Sequence, residues 1–228
     1  MTCWKRTPQE RAYRMKIDLH VHTQERSSCG KAPEEAQVRA AIAAGLDAIV
    51  FTDHHRLAPL ERLEALNQQY APFRVFGGIE ITAQGEDFLV LGLRHPVLES
   101  PDWSYPALYE FVRQQGGYIA MAHPFRYRAN IELEIDRYIP DAIEVHSPNT
   151  PADQETRIRE IASRLGMPVL CNSDAHSTER LGTYYIQLND FPCDEKELIA
   201  SLKSGRFRCI QNGHNAAGKP ALGASASC

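Results

Sequence analysis

The chain has 228 residues, 43% of them hydrophobic and 24% charged, which supplies one sizeable core and argues against wholesale disorder. Its net charge of -4 speaks against a general basic surface, so no stable duplex nucleic-acid binding is expected, although a short nucleic acid held at a few cationic points is compatible with it. No run is apolar enough to span a bilayer, and no apolar stretch follows the basic N-terminus, so no membrane contact, no signal peptide and a cytoplasmic location are expected.

Residues 1–14 are polar without a clear period and read as an N-terminal extension; the compact domain is expected over 15–212. Ile17 to Val21 alternates, with Ile17, Leu19 and Val21 facing one way and Asp18, His20 and His22 the other. Pro33 opens a helix with Glu34 and Glu35 in its first turn, and Gly45 closes it. Ala48 to Phe51 is a continuous apolar run, a strand buried on both faces, ending at Thr52-Asp53-His54-His55. Pro59 opens a second helix with Leu60, Leu63 and Leu66 on one stripe.

Arg74 to Ile81 reads as a strand ending near Glu80, and Phe88 to Leu93 as another. Leu108, Phe111 and Val112 mark a helix that stops at Gly116-Gly117. Tyr118 to Ala122 is a strand leading into His123, and Ala142 to Val145 one leading into His146. Thr150 is the expected cap of a helix opened by Pro151 and ended by Gly166. Met167 to Cys171 leads into Asn172-Ser173-Asp174; Asp194 caps a last helix through Leu202, and Phe207 to Ile210 is a last strand. The Ala-, Gly- and Ser-rich stretch 213–228 reads as a disordered tail. The six cysteines, Cys3, Cys29, Cys171, Cys193, Cys209 and Cys228, include no Cys-x-x-Cys pair and are expected as reduced thiols.

Alternating strands and helices with no linker predict a single α/β domain, either a parallel barrel or a doubly wound sheet. The barrel accounts for more. Five polar clusters, around His20/His22, His54, Glu80, His123 and Asp174/His176, each sit where an apolar strand ends, and a barrel converges such ends on one face. A doubly wound sheet gathers its ligands at one switch point instead. Imidazole and carboxylate donors in this number point to a shared site for Zn, Mn or Fe rather than Ca.

In order along the chain, Asp-Leu-His-Val-His-Thr, Gly-Leu-Asp-Ala-Ile-Val-Phe-Thr-Asp-His, Gly-Ile-Glu, Ala-His-Pro and Asn-Ser-Asp-Ala-His resemble the motifs of the PHP family, named for polymerase and histidinol phosphatase domains. The resemblance runs from about Met15 to about Ile210. It implies a distorted, TIM-like (β/α)7 barrel holding two to three divalent metal ions. It implies that His20, His22, Glu80 and Asp174 surround one metal, that Glu80 bridges to a second bound also by His123, and that His54 and His176 hold a third.

Two positions depart from the family pattern. Cys29 stands in the loop where many members place an acidic residue or His; it is either a thiolate ligand, which favours zinc, or a small residue in a tight loop. Leu89 stands near where many members place another His, with Asp87 close by as a substitute. Arg126 is a candidate for gripping a substrate phosphate, and His146 for protonating the leaving group; the alternatives are a surface ion pair and a hydrogen-bonded wall residue. His55 is a further cleft residue, Arg128 a weaker anion contact, Arg180 a further candidate for meeting an anionic substrate, and His95 and His214 structural or exposed.

The resulting expectation is a metal-dependent phosphoesterase that hydrolyses a phosphomonoester or a nucleotide or short oligonucleotide phosphoester with a metal-activated hydroxide. Its partner is a small phosphorylated substrate or short nucleic acid. The alternatives are a metal-dependent hydrolase of an amide or lactone, and a non-catalytic metal-binding regulatory module.

Overall fold

The computed structural model describes residues 14–212. The expected tail, His214 and all of the expected extension except Arg14 lie outside them. Nine strands form one sheet: β1 (Lys16–Val21), β2 (Ala48–Phe51), β3 (Arg74–Ala83), β4 (Glu86–Leu91), β5 (Tyr118–Met121), β6 (Ala142–His146), β7 (Val169–Cys171), β8 (Tyr184–Leu188) and β9 (Phe207–Gln211). Five helices accompany them: α1 (Glu34–Ala43), α2 (Leu60–Gln69), α3 (Tyr105–Gln115), α4 (Glu155–Leu165) and α5 (Glu195–Lys203). Among the described residues, no helix is long and apolar enough to cross a membrane.

Strands β1 to β7 follow one another around the sheet in chain order. The ring then closes on itself at one end. Val21 bridges Ala175, just past β7, with Ala175 N donating to His20 O at 3.1 Å and His22 N to Ala175 O at 3.0 Å. The result is the expected seven-stranded, barrel-like α/β fold, and its distortion has two sources. Strand β4 returns antiparallel to β3 through a tight turn at Gln84-Gly85, both at positive φ, so no helix separates the two. At the other end, the β8–β9 hairpin fills the gap between β1 and β7: β8 pairs with Lys16 and Ile17, and the Cys209 thiol donates to Val169 O at 3.4 Å. Strand β8 has no counterpart in the elements expected from sequence.

The interior is filled by alternate residues of the strands, including Ile17, Leu19, Val50, Phe76, Leu89, Leu91, Ala120, Ala142, Leu170 and Ile186. Leu198, Ile199 and Leu202 of α5 pack into it from the end opposite the histidines. Gly92, at φ +77°, lets the chain pass there: a Cβ would stand 2.4 Å from Ile199. The outward faces of the strands pack against α1 and α2 on one side and α3 and α4 on the other.

Two local expectations change. Thr150 does not cap α4, because a short 3-10 turn at Ala152–Gln154 comes first and the Thr150 hydroxyl turns to Ser147 Oγ at 3.1 Å. Cys193 is disulfide-bonded, so the thiols are not all reduced; Cys29, Cys171 and Cys209 are outside disulfides.

Candidate metal centre

A bulge in β1 aims the first two histidines. Asp18 lies opposite Ile49 and Val21 opposite Phe51, so Leu19 and His20 together face the single residue Val50. Strict alternation would put His20 and His22 on the face opposite Ile17 and Leu19, away from the interior. The extra residue instead turns Leu19 and His20 inward together, sends Val21 outward beside Phe51, and returns His22 to the mouth.

The donors then meet in a small volume. His20 Nε2 and His22 Nε2 are 3.1 Å apart. Each lies 3.2–3.3 Å from Glu80 Oε2 and from Asp174 Oδ1. His123 Nε2 is 3.0 Å from Glu80 Oε1, and His54 Nδ1 is 3.2 Å from Glu80 Oε2. The His176 ring lies tilted against His22, with centroids 4.3 Å apart. Three donor sets each have ligand atoms within 4.8 Å of one another: His20/His22/Asp174, His20/Glu80/His123, and His22/Cys29/His54/His176. The third adds His22 and Cys29 to the pair expected for that site.

In their neutral form the rings are held in the tautomer that leaves the inner nitrogens unprotonated. His20 Nδ1 faces the Glu144 carboxylate at 3.2 Å, an acceptor, which leaves Nε2 with its lone pair toward the cluster. Ser27 Oγ donates to Asp53 Oδ1 at 2.8 Å and accepts His54 N–H at 3.0 Å. Its remaining lone pair takes Nδ1–H of His22 at 3.3 Å, fixing the same tautomer there. His176 Nδ1–H points to Asp174 O at 3.0 Å. Asp53 is therefore a loop organiser: it also accepts from Thr23 N at 2.6 Å and Arg26 Nε at 2.8 Å.

Burial makes the electrostatics strong. Glu80 Oε2 and Asp174 Oδ1 are buried without a hydrogen-bond partner, surrounded by imidazole nitrogens. Burial would lift the carboxyl groups, but His20 and its neighbours hold Glu80 and Asp174 well below the usual range. Burial would likewise depress His22, yet the Asp174 and Glu80 carboxylates beside it bring it up to about 9, while burial and the facing His22 push His176 down to about 4. Orphaned carboxylate oxygens facing lone-pair nitrogens are the donor arrangement a divalent cation satisfies, and the residues present fit such ions.

The other expected residues divide. Arg126 reaches the site, with Nη1 3.4 Å from His123 Nε2 and 3.8 Å from Asp174 Oδ2. His146 does not. A register shift between Glu144 and His146 places Glu144 opposite the inward Leu170 but His146 opposite the outward Cys171. Its Nε2 lies 3.3 Å from both Glu155 Oε1 and Arg159 Nη2 of α4, and its ring stacks on Tyr184. His146 thus lies against α4 and β8 and is not brought together with the donor sets. His55 uses both nitrogens on backbone, at Ser100 O and Thr82 N. Arg128 pairs with Glu132, and Arg180 is exposed in a short turn. Leu89 faces the interior, while Asp87, in the same row but nearer the mouth, has Oδ2 3.9 Å from His123 Nε2.

Sequence reasoning passed over Glu144, which accepts His123 N–H at 2.9 Å and Asn172 Nδ2–H at 2.8 Å besides serving His20. It also passed over Ser27 and over Asn149, whose amide donates to Asp174 Oδ2. The available signal for Glu144 was a lone carboxylate inside an otherwise apolar strand.

Residues 18–135 match the family model described as PHP domain, and residues 154–207 match the one described as PHP-associated. No curated protein matches the chain. Among solved structures, PsfC from Pseudomonas syringae PB-5123 aligns with a TM-score of 0.68 at 18% identity, over 88% of this chain and 93% of that one. A two-domain protein containing a predicted PHP-like metal-dependent phosphoesterase, from Bacteroides vulgatus ATCC 8482, gives 0.65 at 16% identity, over 89% and 66%. The lesion-specific endonuclease PfuEndoQ from Pyrococcus furiosus gives 0.65 at 16% identity, over 86% and 57%.

Proposed function

This chain belongs to the PHP domain family, and we propose that it is a metal-dependent phosphoesterase acting on a phosphomonoester or on a nucleotide or short oligonucleotide. The observation that carries the reading is the pair of buried, unpartnered carboxylate oxygens, Glu80 Oε2 and Asp174 Oδ1, set among the Nε2 atoms of His20 and His22. In this reading His20, His22, Glu80 and Asp174 hold one divalent ion. Glu80 and His123 with His20 offer a second position, and His22, Cys29, His54 and His176 offer a third whose thiolate and imidazoles suit zinc. Held by these residues, divalent ions would supply Lewis acidity toward phosphoryl oxygens and would favour the deprotonation of water near neutral pH.

The chain's own groups do the rest. Glu144 and Ser27 hold His20 and His22 in the tautomer that presents Nε2 inward. Arg126, half-exposed and planar, is placed to donate to a phosphate oxygen entering beside His123. His146 faces α4, away from the donor sets. The names of two structural neighbours, one containing a predicted phosphoesterase and one an endonuclease, support this chemistry without choosing between substrates.

The test is hydrolysis of p-nitrophenyl phosphate and its bis-ester by protein loaded with Mn or Zn. Nitrophenolate release is expected from at least one of them. Asp174→Ala is expected to lower both bound metal and turnover. A metal-loaded wild type that releases phosphate from no ester, or an Asp174→Ala protein with normal metal and rate, overturns the reading.

A further inference from the structure

Beside the donor sets the mouth carries a group that phosphate chemistry leaves unused. Tyr127 is 56% exposed, and among the described residues it is the one aromatic in the small set of exposed large apolar side chains. It stands edge-on to His123, with ring centroids 6.2 Å apart at 87°. The Arg126 guanidinium lies over its ring, 5.0 Å from the centroid. A cavity of about 330 Å³ opens at the same place, lined by Phe125, Arg126, Tyr127, Arg128, Pro151 and Gln154 among others. That is the lower end of the range in which small-molecule sites occur.

The segment is built rather than loose. His123 and Phe125 adopt φ of +23° and +67°, conformations rare for residues with a side chain and common where function constrains the backbone. Helix α4 holds the loop in place. Arg157 stacks over the buried Phe125 ring, 4.3 Å from its centroid, and donates to Ala129 O at 2.6 Å and Asn130 Oδ1 at 2.7 Å. The ring of Tyr127 is thereby presented directly beside the donor His123, with the Arg126 guanidinium touching both.

We propose that Tyr127 and this cavity form a subsite for a planar heteroaromatic ring carried by the phosphoester, so that the preferred substrate is a nucleotide rather than a plain sugar or alkyl phosphate. The proposal rests on the phosphoesterase reading and adds to it the identity of the group next to the phosphate. Arg126 serves both ends: it faces the phosphate position on the His123 side and backs the aromatic face on the other. Stacking of a base on a tyrosine with a guanidinium nearby is tolerant of base identity, so the subsite selects for the presence of a base more than for its kind.

The probes are the non-hydrolysable phosphonate analogues of adenosine 5′-monophosphate and ribose 5-phosphate, titrated calorimetrically into the metal-loaded protein. The wild type is expected to bind the adenosine analogue at least about fivefold more tightly, the lower end of base–aromatic stacking. Its adenine proton resonances should move upfield. Tyr127→Ala should bring the ratio to about one, the loss falling on the adenosine analogue, and Tyr127→Phe should restore the preference. Equal affinities in the wild type, a preference that survives Tyr127→Ala, or no binding of either analogue overturns the subsite. Phosphate release from adenosine 5′-monophosphate and ribose 5-phosphate with equal kcat/KM would sink the subsite alone, whereas release from neither, nor from any other ester, sinks the phosphoesterase reading beneath it.

Discussion

At the scale of single residues, the less obvious dependence of the site is on Glu144. Its carboxylate is fully buried and accepts from three donors: the His20 ring, the His123 backbone and the Asn172 amide. Glu144→Gln keeps the shape but turns one oxygen into an NH2, which must confront at least one of those donors. The His20 ring then loses its anchor and part of its basicity. Metal affinity, measured by competition with a chromogenic chelator, is expected to fall about 10- to 100-fold, the usual size of such an effect on a ligating histidine. An unchanged affinity would show that His20 orientation does not depend on Glu144. The direct donors were legible as residue types in order along the chain, because each breaks an apolar run at its end. Glu144 and Ser27 were not, because what distinguishes them is the three-dimensional neighbour, over a hundred residues away in one case and across a loop in the other.

At the scale of elements, the two bulges decide which histidines count. Period-two alternation reads His20 and His146 alike, each as a polar residue at the end of an apolar strand. The bulge in β1 adds an inward residue and so brings His20 into the mouth; the one in β6 sends His146 out to Glu155 and Arg159. A shift of one residue inverts the face, and nothing in the sequence of either strand announces it. Strand β8 was missed for a related reason: it follows β7 without an intervening α-helix, and its place is set by pairing with Lys16 and Ile17 at the far end of the chain. The consequence for His146 is testable. His146→Ala should leave metal content unchanged and kcat/KM within about twofold of wild type, since it removes only a half-exposed contact to α4. A loss of turnover by tenfold or more with intact metal content would return His146 to the reaction.

At the scale of the molecule, the same groups that line the site also close the ring. The junction between the first and seventh strands is the Val21–Ala175 bridge, flanked directly by His20, His22, Asp174 and His176. An ion bound by these side chains joins the two ends of the barrel, so binding should appear as global stability. At a free metal concentration about 100 times Kd the gain is roughly 2.7 kcal/mol, which for a domain of this size raises Tm by roughly 5–10 °C. The pH dependence has a definite sign. Paired with Asp174 and Glu80, His22 titrates at about 9, above its ordinary value. The metal-free protein therefore draws stability from the charged imidazole that is fully present below about pH 6.5 and is lost as pH rises through about 9. Metal needs the neutral ring, so its affinity rises over the same window. Both effects widen the gap between loaded and chelated protein as pH increases. Scanning calorimetry with and without EDTA at pH 7 and pH 9 should show the larger difference in Tm at pH 9. A difference that shrinks with pH would mean that His22 is not displaced from its ion pairs by the metal, and that the ring closes without using the site as its clasp.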